Sequence, residues 1–311
     1  MAATADSLAA AMAAATTASR PQPATAVPAA TASAGRRAAG QPGQKVALVT
    51  GASSGIGAAI AKRLAADGFR VFGTSRKATG ATLDGIEMLQ LDVASDASVA
   101  ACAAAVMERA GRIDVLVNNA GYLLGGAVEE ATLYQAKAQF ETNFFGAFRV
   151  MKAFLPAMRA AGSGRIINVT SLAGVVPLPF WGFYNASKFA LEGLTETLRY
   201  EVQPLGISVS AVEAGMIRTR LYTDDHRTTP IAVYDPWRRR FQKKMDEFEA
   251  KGPGPEVVAA AVAKAAAAKQ PAPRYRVTRE ANQFTLMRRL FPGWLFEKGL
   301  RLGFHLDDQK Y

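Results

Sequence analysis

The sequence predicts a doubly wound α/β fold, a parallel sheet with helices on both faces, in one large domain that ends in a lid and a tail. Three observations predict it. Short apolar runs rich in β-branched residues alternate with helical stretches between residues 45 and 212. Glycines stand at the junctions, with Gly51, Gly55 and Gly57 after the first run and Gly68 and Gly111 after helical stretches. Polar residues suited to chemistry follow the ends of the runs, where sheets of this kind bind ligands.

Residues 45–50 form a β-branched run that stops at Gly51, as expected of a buried strand. Residues 58–67 are helical in composition and are closed by Gly68. Strands follow at 70–74 and 86–91, the second leading into Asp92. A helix at 95–110 ends at Gly111, and a strand at 113–117 enters Asn118-Asn119-Ala120-Gly121. Residues 133–160 carry one long helical pattern. A strand at 165–170, a helix at 187–202 and a strand at 207–212 complete the alternation. Residues 216–255 are rich in proline and charge without a clear period, and are expected to cover the site as a partly mobile lid. An Ala-rich helix at 259–269 and a short strand at 274–277 follow. The expected division is an extension at 1–44, a catalytic domain at 45–280 and an amphipathic tail at 281–311.

Half of the 311 residues are apolar. About 265 remain after the extension, which suits one large α/β domain. The extension is rich in Ala, Thr, Ser and Pro, lacks large apolar residues and is expected to be disordered. Its arginines and scarcity of acids leave two readings open, an organelle-targeting segment or a tail without an address. Cys102 is the only cysteine, so no internal disulfide forms, and a reducing, cytoplasmic setting is expected. His226 and His305 have no partners at metal-ligand or triad spacing, so no metal is expected. No apolar stretch is long enough to span a bilayer. Eight of the eleven net positive charges lie from Arg218 onward. Without a nucleic-acid-binding motif, that charge reads as solvated surface and phosphate contact rather than as a nucleic-acid site.

Thr50-Gly51-Ala52-Ser53-Ser54-Gly55-Ile56-Gly57 joins the first strand to the first helix. Its glycines permit a tight turn and let backbone N–H groups approach a pyrophosphate at the positive end of the helix dipole. No Gly-Lys-Ser/Thr follows, which excludes the nucleoside-triphosphate P-loop. The second strand ends in Thr74-Ser75-Arg76-Lys77. NAD sites usually place a carboxylate there for the ribose 2′-hydroxyl. None is present, and the Arg76 guanidinium suits a 2′-phosphate, so NADP is the expected cofactor.

Tyr184 and Lys188 stand four residues apart, on one face of a helix. A free phenol, with a pKa of about 10, is too weak an acid to serve as a base near neutrality. A neighbouring ammonium is expected to lower that value, so that Tyr184 gives or takes a proton at a substrate oxygen. Ser171, just after a strand, can hydrogen-bond the same oxygen. Asn143, amid aromatic residues in the long helix, is expected to kink it and bind a water that relays protons from Lys188.

The Thr-Gly-x-x-x-Gly-x-Gly octet and the Tyr-x-x-x-Lys pair, in that order, resemble the short-chain dehydrogenase/reductase superfamily over about residues 45–219. The resemblance implies a Rossmann-type sheet and a catalytic tetrad of Asn143, Ser171, Tyr184 and Lys188. It implies a cofactor site of Gly51, Ser53, Ser54, Gly55, Ile56, Gly57, Ser75 and Arg76, with Asp92 and Val93 at the adenine. Asn118, Ala120 and Gly121 would support the sheet and line the cofactor channel, and Tyr184 and Lys188 would also touch the cofactor. Ile217 and Thr219 would hold the nicotinamide carboxamide, in a segment where Ala214 replaces the family's usual proline and loosens the turn. It also implies a homodimer or homotetramer paired through the long helix and the helix bearing Lys188.

Residues 175–183 and Tyr122-Leu123-Leu124 should border the reacting carbon, and both stretches are apolar and aromatic. That composition suits a lipophilic carbonyl or alcohol such as a steroid, retinoid, fatty ketone or aromatic ketone. The tail at 284–304 mixes large apolar residues with Arg288, Arg289, Lys298 and Arg301. It can roof the pocket or lie on an anionic membrane surface, and Pro292-Gly293 should break it into two short helices. The expected function is an NADP(H)-dependent oxidoreductase. The competing classes are a non-catalytic NADP-binding sensor or scaffold and a peripheral membrane binder. The intact Tyr184–Lys188 pair weighs against the sensor.

Overall fold

In the computed structural model, residues 43–77, 82–219 and 227–306 are described. The extension expected at 1–44 lies outside them except for its last two residues, as do 220–226 of the expected lid. The strands are β1 (Val46–Val49), β2 (Arg70–Ser75), β3 (Thr82–Leu83), β4 (Ile86–Gln90), β5 (Val115–Asn118), β6 (Gly164–Val169), β7 (Ile207–Glu213) and β8 (Arg274–Arg276). The helices are α1 (Gly55–Ala66), α2 (Asp96–Ala110), α3 (Leu133–Phe140), α4 (Ala147–Ala161), α5 (Gly182–Val202), α6 (Asp235–Lys251), α7 (Glu256–Ala267), α8 (Arg279–Leu290) and α9 (Gly293–Gly303).

The strands form one sheet in the order β3-β4-β2-β1-β5-β6-β7-β8. Every pairing is parallel except β3 with β4. Strand β3 was not expected. It turns back through Asp84 and Gly85, both at positive φ, which is the backbone a two-residue hairpin requires. Chain order reverses between β1 and β5, so a crevice opens past the ends of these two strands.

Alternate residues of each strand face two separate cores. Val46 and Leu48 pack with Val106 of α2, Phe154 of α4 and Leu191 of α5. Ala47 and Val49 pack with Ile60 and Leu64 of α1 and Val258 and Val262 of α7. Burial on both faces explains why the strands read as unbroken apolar runs. Cys102 sits in the first core, where burial pushes its thiol up to about 11, far from a reactive thiolate.

Three expectations need correction. The helix expected at 133–160 is α3 and α4 joined by a π-helical segment, Glu141–Gly146. A methyl group on Gly146 would lie 2.6 Å from a Val93 methyl, so glycine allows the segment to press on the loop after β4. Helix α5 begins at Gly182 rather than at 187. Gly182 admits Val128, and the Trp181 carbonyl accepts the Asn185 N–H at 2.8 Å. The region expected to be an aperiodic lid contains the seventeen-residue helix α6. Its apolar stripe of Phe241, Met245 and Phe248 packs on Leu172, Val176 and Leu178, while Arg239 and Lys243 are exposed on the opposite side. The tail forms α8 and α9 with the break at Pro292, as expected, and Phe284, Phe296, Leu300 and Phe304 join the same cluster.

Candidate active site

The crevice at the β1–β5 reversal is a cavity of about 940 Å³. Its floor is the turn from β1 to α1, pinned by the start of the Asn-Asn-Ala-Gly turn after β5. The Thr50 hydroxyl accepts the N–H groups of Asn119 (2.9 Å) and Ala120 (3.0 Å). The Asn119 amide donates in return to the carbonyls of Thr50 (2.9 Å) and Gly51 (3.2 Å). Gly57 lies so close beneath that a Cβ there would stand 2.1 Å from the Gly51 carbonyl oxygen. The turn is therefore a backbone-walled cradle at a helix N-terminus. The Ser54 side chain makes no capping hydrogen bond, and the first turn of α1 holds no acid. Uncapped N–H groups at a helix start suit a phosphate.

Gly51, Ser53, Ser54, Gly55, Ile56, Gly57, Ser75, Arg76, Asp92, Val93, Ala120, Gly121, Ser171, Tyr184, Lys188, Ile217 and Thr219 all line this one cavity. Arg76 is exposed at its rim, and no carboxylate stands at the end of β2. These residues fit a dinucleotide carrying an extra phosphate.

Asn118 and Asn143 do not line the cavity. Asn118 is buried in the sheet and donates to the Asn168 side chain at 2.8 Å. Asn143, in the π-helical segment, accepts the Tyr122 N–H (3.1 Å) and donates to the Tyr122 carbonyl (3.0 Å) and the Ser187 hydroxyl (3.2 Å). Both amide hydrogens are committed to protein partners. The helix departs from α geometry here, as expected of a kink, and Asn143 ties that departure to the stretch after β5 that carries Tyr122.

At the far end of the cavity the Tyr184 hydroxyl is hydrogen-bonded to Ser171. Trp181 stands edge-on to the Tyr184 ring at 6.0 Å between centroids and fixes its plane. The Lys188 ammonium donates to the Val169 carbonyl at 2.9 Å and lies 5.8 Å from the centre of the Tyr184 ring. Burial pushes the phenol up to about 12, partly offset by the Ser171 hydrogen bond. Burial also brings Lys188 down to about 8, partly opposed by the charge of Glu192. Within the chain alone burial therefore outweighs the Ser171 hydrogen bond at Tyr184, and the Lys188 ammonium is turned toward a carbonyl.

The lid adds three cavity residues that the sequence reading missed, Gln242, Met245 and Glu249, on one face of α6. Their spacing of three and four residues was the available signal. The Glu249 carboxylate accepts the Thr219 N–H at 3.2 Å. The Ala214 segment is not loose, since its carbonyl accepts the Leu172 N–H at 2.7 Å and Gly215 fits against Thr278.

Residues 45–229 match the family described as short chain dehydrogenase. The chain is 40% identical over 237 residues to a 3-ketodihydrosphingosine reductase of Bacteroides thetaiotaomicron, covering 75% of this chain and 87% of that protein. It is 37% identical over 272 residues to 17-beta-hydroxysteroid dehydrogenase type 1 of Mus musculus, covering 79% and 76% respectively. An actinorhodin polyketide ketoreductase solved with NADPH is 34% identical, with 76% of this chain and 97% of that chain covered and a TM-score of 0.64. Solved neighbours carry NADP in some cases and NAD in others. The glycine cradle, the Ser171–Tyr184–Lys188 group and these matches agree, and the chain belongs to the short-chain dehydrogenase family of oxidoreductases acting on alcohol and carbonyl groups.

Proposed function

We propose that the chain is an NADP(H)-dependent oxidoreductase that interconverts a carbonyl and an alcohol on a lipophilic substrate. The observation that carries this reading is the Ser171–Tyr184 hydroxyl pair at one end of a cavity whose other end is the glycine cradle with Arg76. NADPH, when bound, supplies the hydride. Ser53, Ser54 and the N–H groups of the Gly51–Gly57 turn would hold its pyrophosphate, Arg76 the 2′-phosphate, and Ile217 and Thr219 the carboxamide. Asp92 and Val93 would border the adenine, and Ser75, Ala120 and Gly121 the groove between. Ser171 hydrogen-bonds the substrate carbonyl and orients it, and Tyr184 donates its proton to that oxygen. Lys188 lies close enough to stabilise the phenolate left behind, and the reverse sequence oxidises an alcohol. Asn143 acts through backbone, holding the Tyr122 stretch against α5.

Tyr122, Leu123, Leu172, Trp181, Met216 and Met245 form an apolar lining. It supports a fatty or steroidal substrate, as do relatives named for a sphingoid ketone and a steroid. The outer faces of α8 and α9 expose Leu286, Leu290, Trp294 and Leu302 beside Arg289, Lys298 and Arg301, a pattern that supports contact with an anionic lipid surface. No helix among the described residues is long and apolar enough to cross a membrane. A cytoplasmic setting accords with the single, buried cysteine, and a homo-oligomer accords with the exposed Leu133, Tyr134, Phe145 and Phe148 along α3, the π-helical segment and α4.

NADPH absorbance against long-chain, steroidal and short polar ketones tests the reading. Turnover should favour the first two, and Tyr184→Phe should lose about a hundredfold or more while still binding NADPH. Full activity in Tyr184→Phe, or no turnover of any ketone, overturns it.

A further inference from the structure

Tyr184, Lys188, Glu192 and Glu196 follow one another at four-residue intervals along α5, so they share one helix face. The first three are all less than a tenth exposed, and Glu196 reaches the surface. A carboxylate so buried is rare unless it is paired. Resting on the carbonyl-reduction reading, we infer that Glu192 is a positioning residue for the reaction, a carboxylate one helical turn behind Lys188 that keeps the ammonium charged.

The packing around the pair is specific. Lys188 donates to the neutral Val169 carbonyl and has no carboxylate hydrogen-bonded to it. On the side away from the substrate, Gly174 presses over the turn, and a Cβ there would lie 3.1 Å from the Lys188 carbonyl and 3.2 Å from Cγ of Glu192. The short turn after Ser171 therefore packs on the helix backbone between Lys188 and Glu192. The Thr170 hydroxyl, next to Ser171, donates to the Val212 carbonyl at 3.3 Å. An interaction between charges one turn apart in such surroundings is far stronger than on an exposed helix.

On the far side Glu192 meets cations that offset part of the cost of its burial. Arg274 of β8 reaches it at 3.3 Å and also pairs with Glu196 and with Glu213 of β7, both at 3.1 Å. Glu213, fully buried, takes Arg276 at 2.9 Å. The net result is a Glu192 carboxyl held above the usual carboxylate range, with burial the main cause and Glu213 adding to it, against Thr170 and Arg274. Arg199 and Tyr200, further along α5, line the same hollow at its surface end. The charges facing Glu192 are thus Lys188 and Glu196 on α5, Glu213 on β7 and the two arginines near β8. Lys188, brought down to about 8 by burial, faces Glu192 as its principal opposing charge. Removing that charge makes the ammonium easier to deprotonate.

The test uses the full chain, with Glu192→Gln as the variant and Glu192→Asp as the conservative control. Ketone reduction with NADPH is followed from pH 6 to 9.5. In Glu192→Gln the alkaline fall in kcat/KM should move down by about one pH unit, so that the loss grows with pH toward about tenfold. Glu192→Asp should restore most of the shift. Titration of the Lys188 side chain by NMR in wild type and Glu192→Gln reads the same effect without turnover. A loss equal at every pH, or a Lys188 midpoint unmoved by Glu192→Gln, overturns the inference. Absence of ketone reduction by the wild type, with a shifted Lys188 midpoint, overturns the functional reading and leaves the coupling of the two charges standing.

Discussion

The Glu130 carboxylate, fully buried in the loop after β5, is paired with the Arg238 guanidinium of the lid helix α6. It also accepts the N–H groups of Ala127 (2.8 Å) and Ile231 (2.7 Å) and the Thr228 hydroxyl (3.0 Å). One side chain therefore fastens two stretches of lid to the loop beside the substrate wall. Its removal leaves the Arg238 guanidinium with Asp235 as its remaining carboxylate and strands three further donors. Breaking such a pair from one side costs about 3–5 kcal/mol. Glu130→Ala should lower Tm by several degrees and raise the KM for ketone more than the Kd for NADPH. A thermal scan with both titrations checks this, and an unchanged ketone KM would contradict it.

Gly57→Ala and Gly55→Ala should separate a packing requirement from a backbone one. At Gly57 the added methyl meets the Gly51 carbonyl at 2.1 Å and the Asn119 amide at 2.5 Å, so the cradle itself has to open. At Gly55 the space is free, and only the positive φ of 55° is strained, at about 1–2 kcal/mol. NADPH binding, read by fluorescence titration, should be lost in Gly57→Ala and weakened by about tenfold or less in Gly55→Ala.

These two cases mark what the sequence could and could not reveal. The cradle, Ser171, Tyr184 and Lys188 are local motifs at strand ends and on one helix face, so spacing alone exposed them. Glu130 and Arg238 are 108 residues apart and carry no mutual signal until the chain is folded. Parallel strands buried on both faces were legible as continuous apolar runs, whereas two-residue β3 has no room for a pattern. Helix α6 was hidden because three apolar residues among many charges suffice to dock it. The start of α5 was hidden because Gly182, Phe183 and Asn185 are weak helix formers, overridden there by contact with Val128.

The buried Lys188 should leave a mark on stability as a function of pH. Its folded value, about 8, lies below the ordinary value of 10.5, so between these limits the unfolded chain binds more protons. Stability from this group therefore rises as pH increases from about 8 to 10.5, by about 3 kcal/mol when complete, and is lost again as pH falls through 8. Tyr184 acts oppositely at higher pH, since its folded value of about 12 lies above the ordinary 10 and costs stability as pH rises between the two. Denaturant unfolding of wild type and Lys188→Met across pH 7.5 to 10 isolates the first effect. The difference between the two proteins should shift in favour of wild type with rising pH, and a constant difference would contradict the assignment.

Arg76 is the last side chain whose change separates two readings. It stands exposed at the end of β2, and no acid occupies the position where a ribose 2′-hydroxyl would be bound. Hydrogen bonds to a charged group contribute about 1.5–3 kcal/mol, and the guanidinium offers two in a fixed fork. Arg76→Asp removes that fork and sets a carboxylate against the 2′-phosphate. NADPH affinity should fall by about tenfold to a hundredfold, while NADH, which lacks the phosphate, gains a hydroxyl acceptor and binds better. Parallel titrations with the two dinucleotides give the ratio directly. If the ratio does not move, the 2′-phosphate is held elsewhere or is not selected, and the assignment of NADP to this strand end fails.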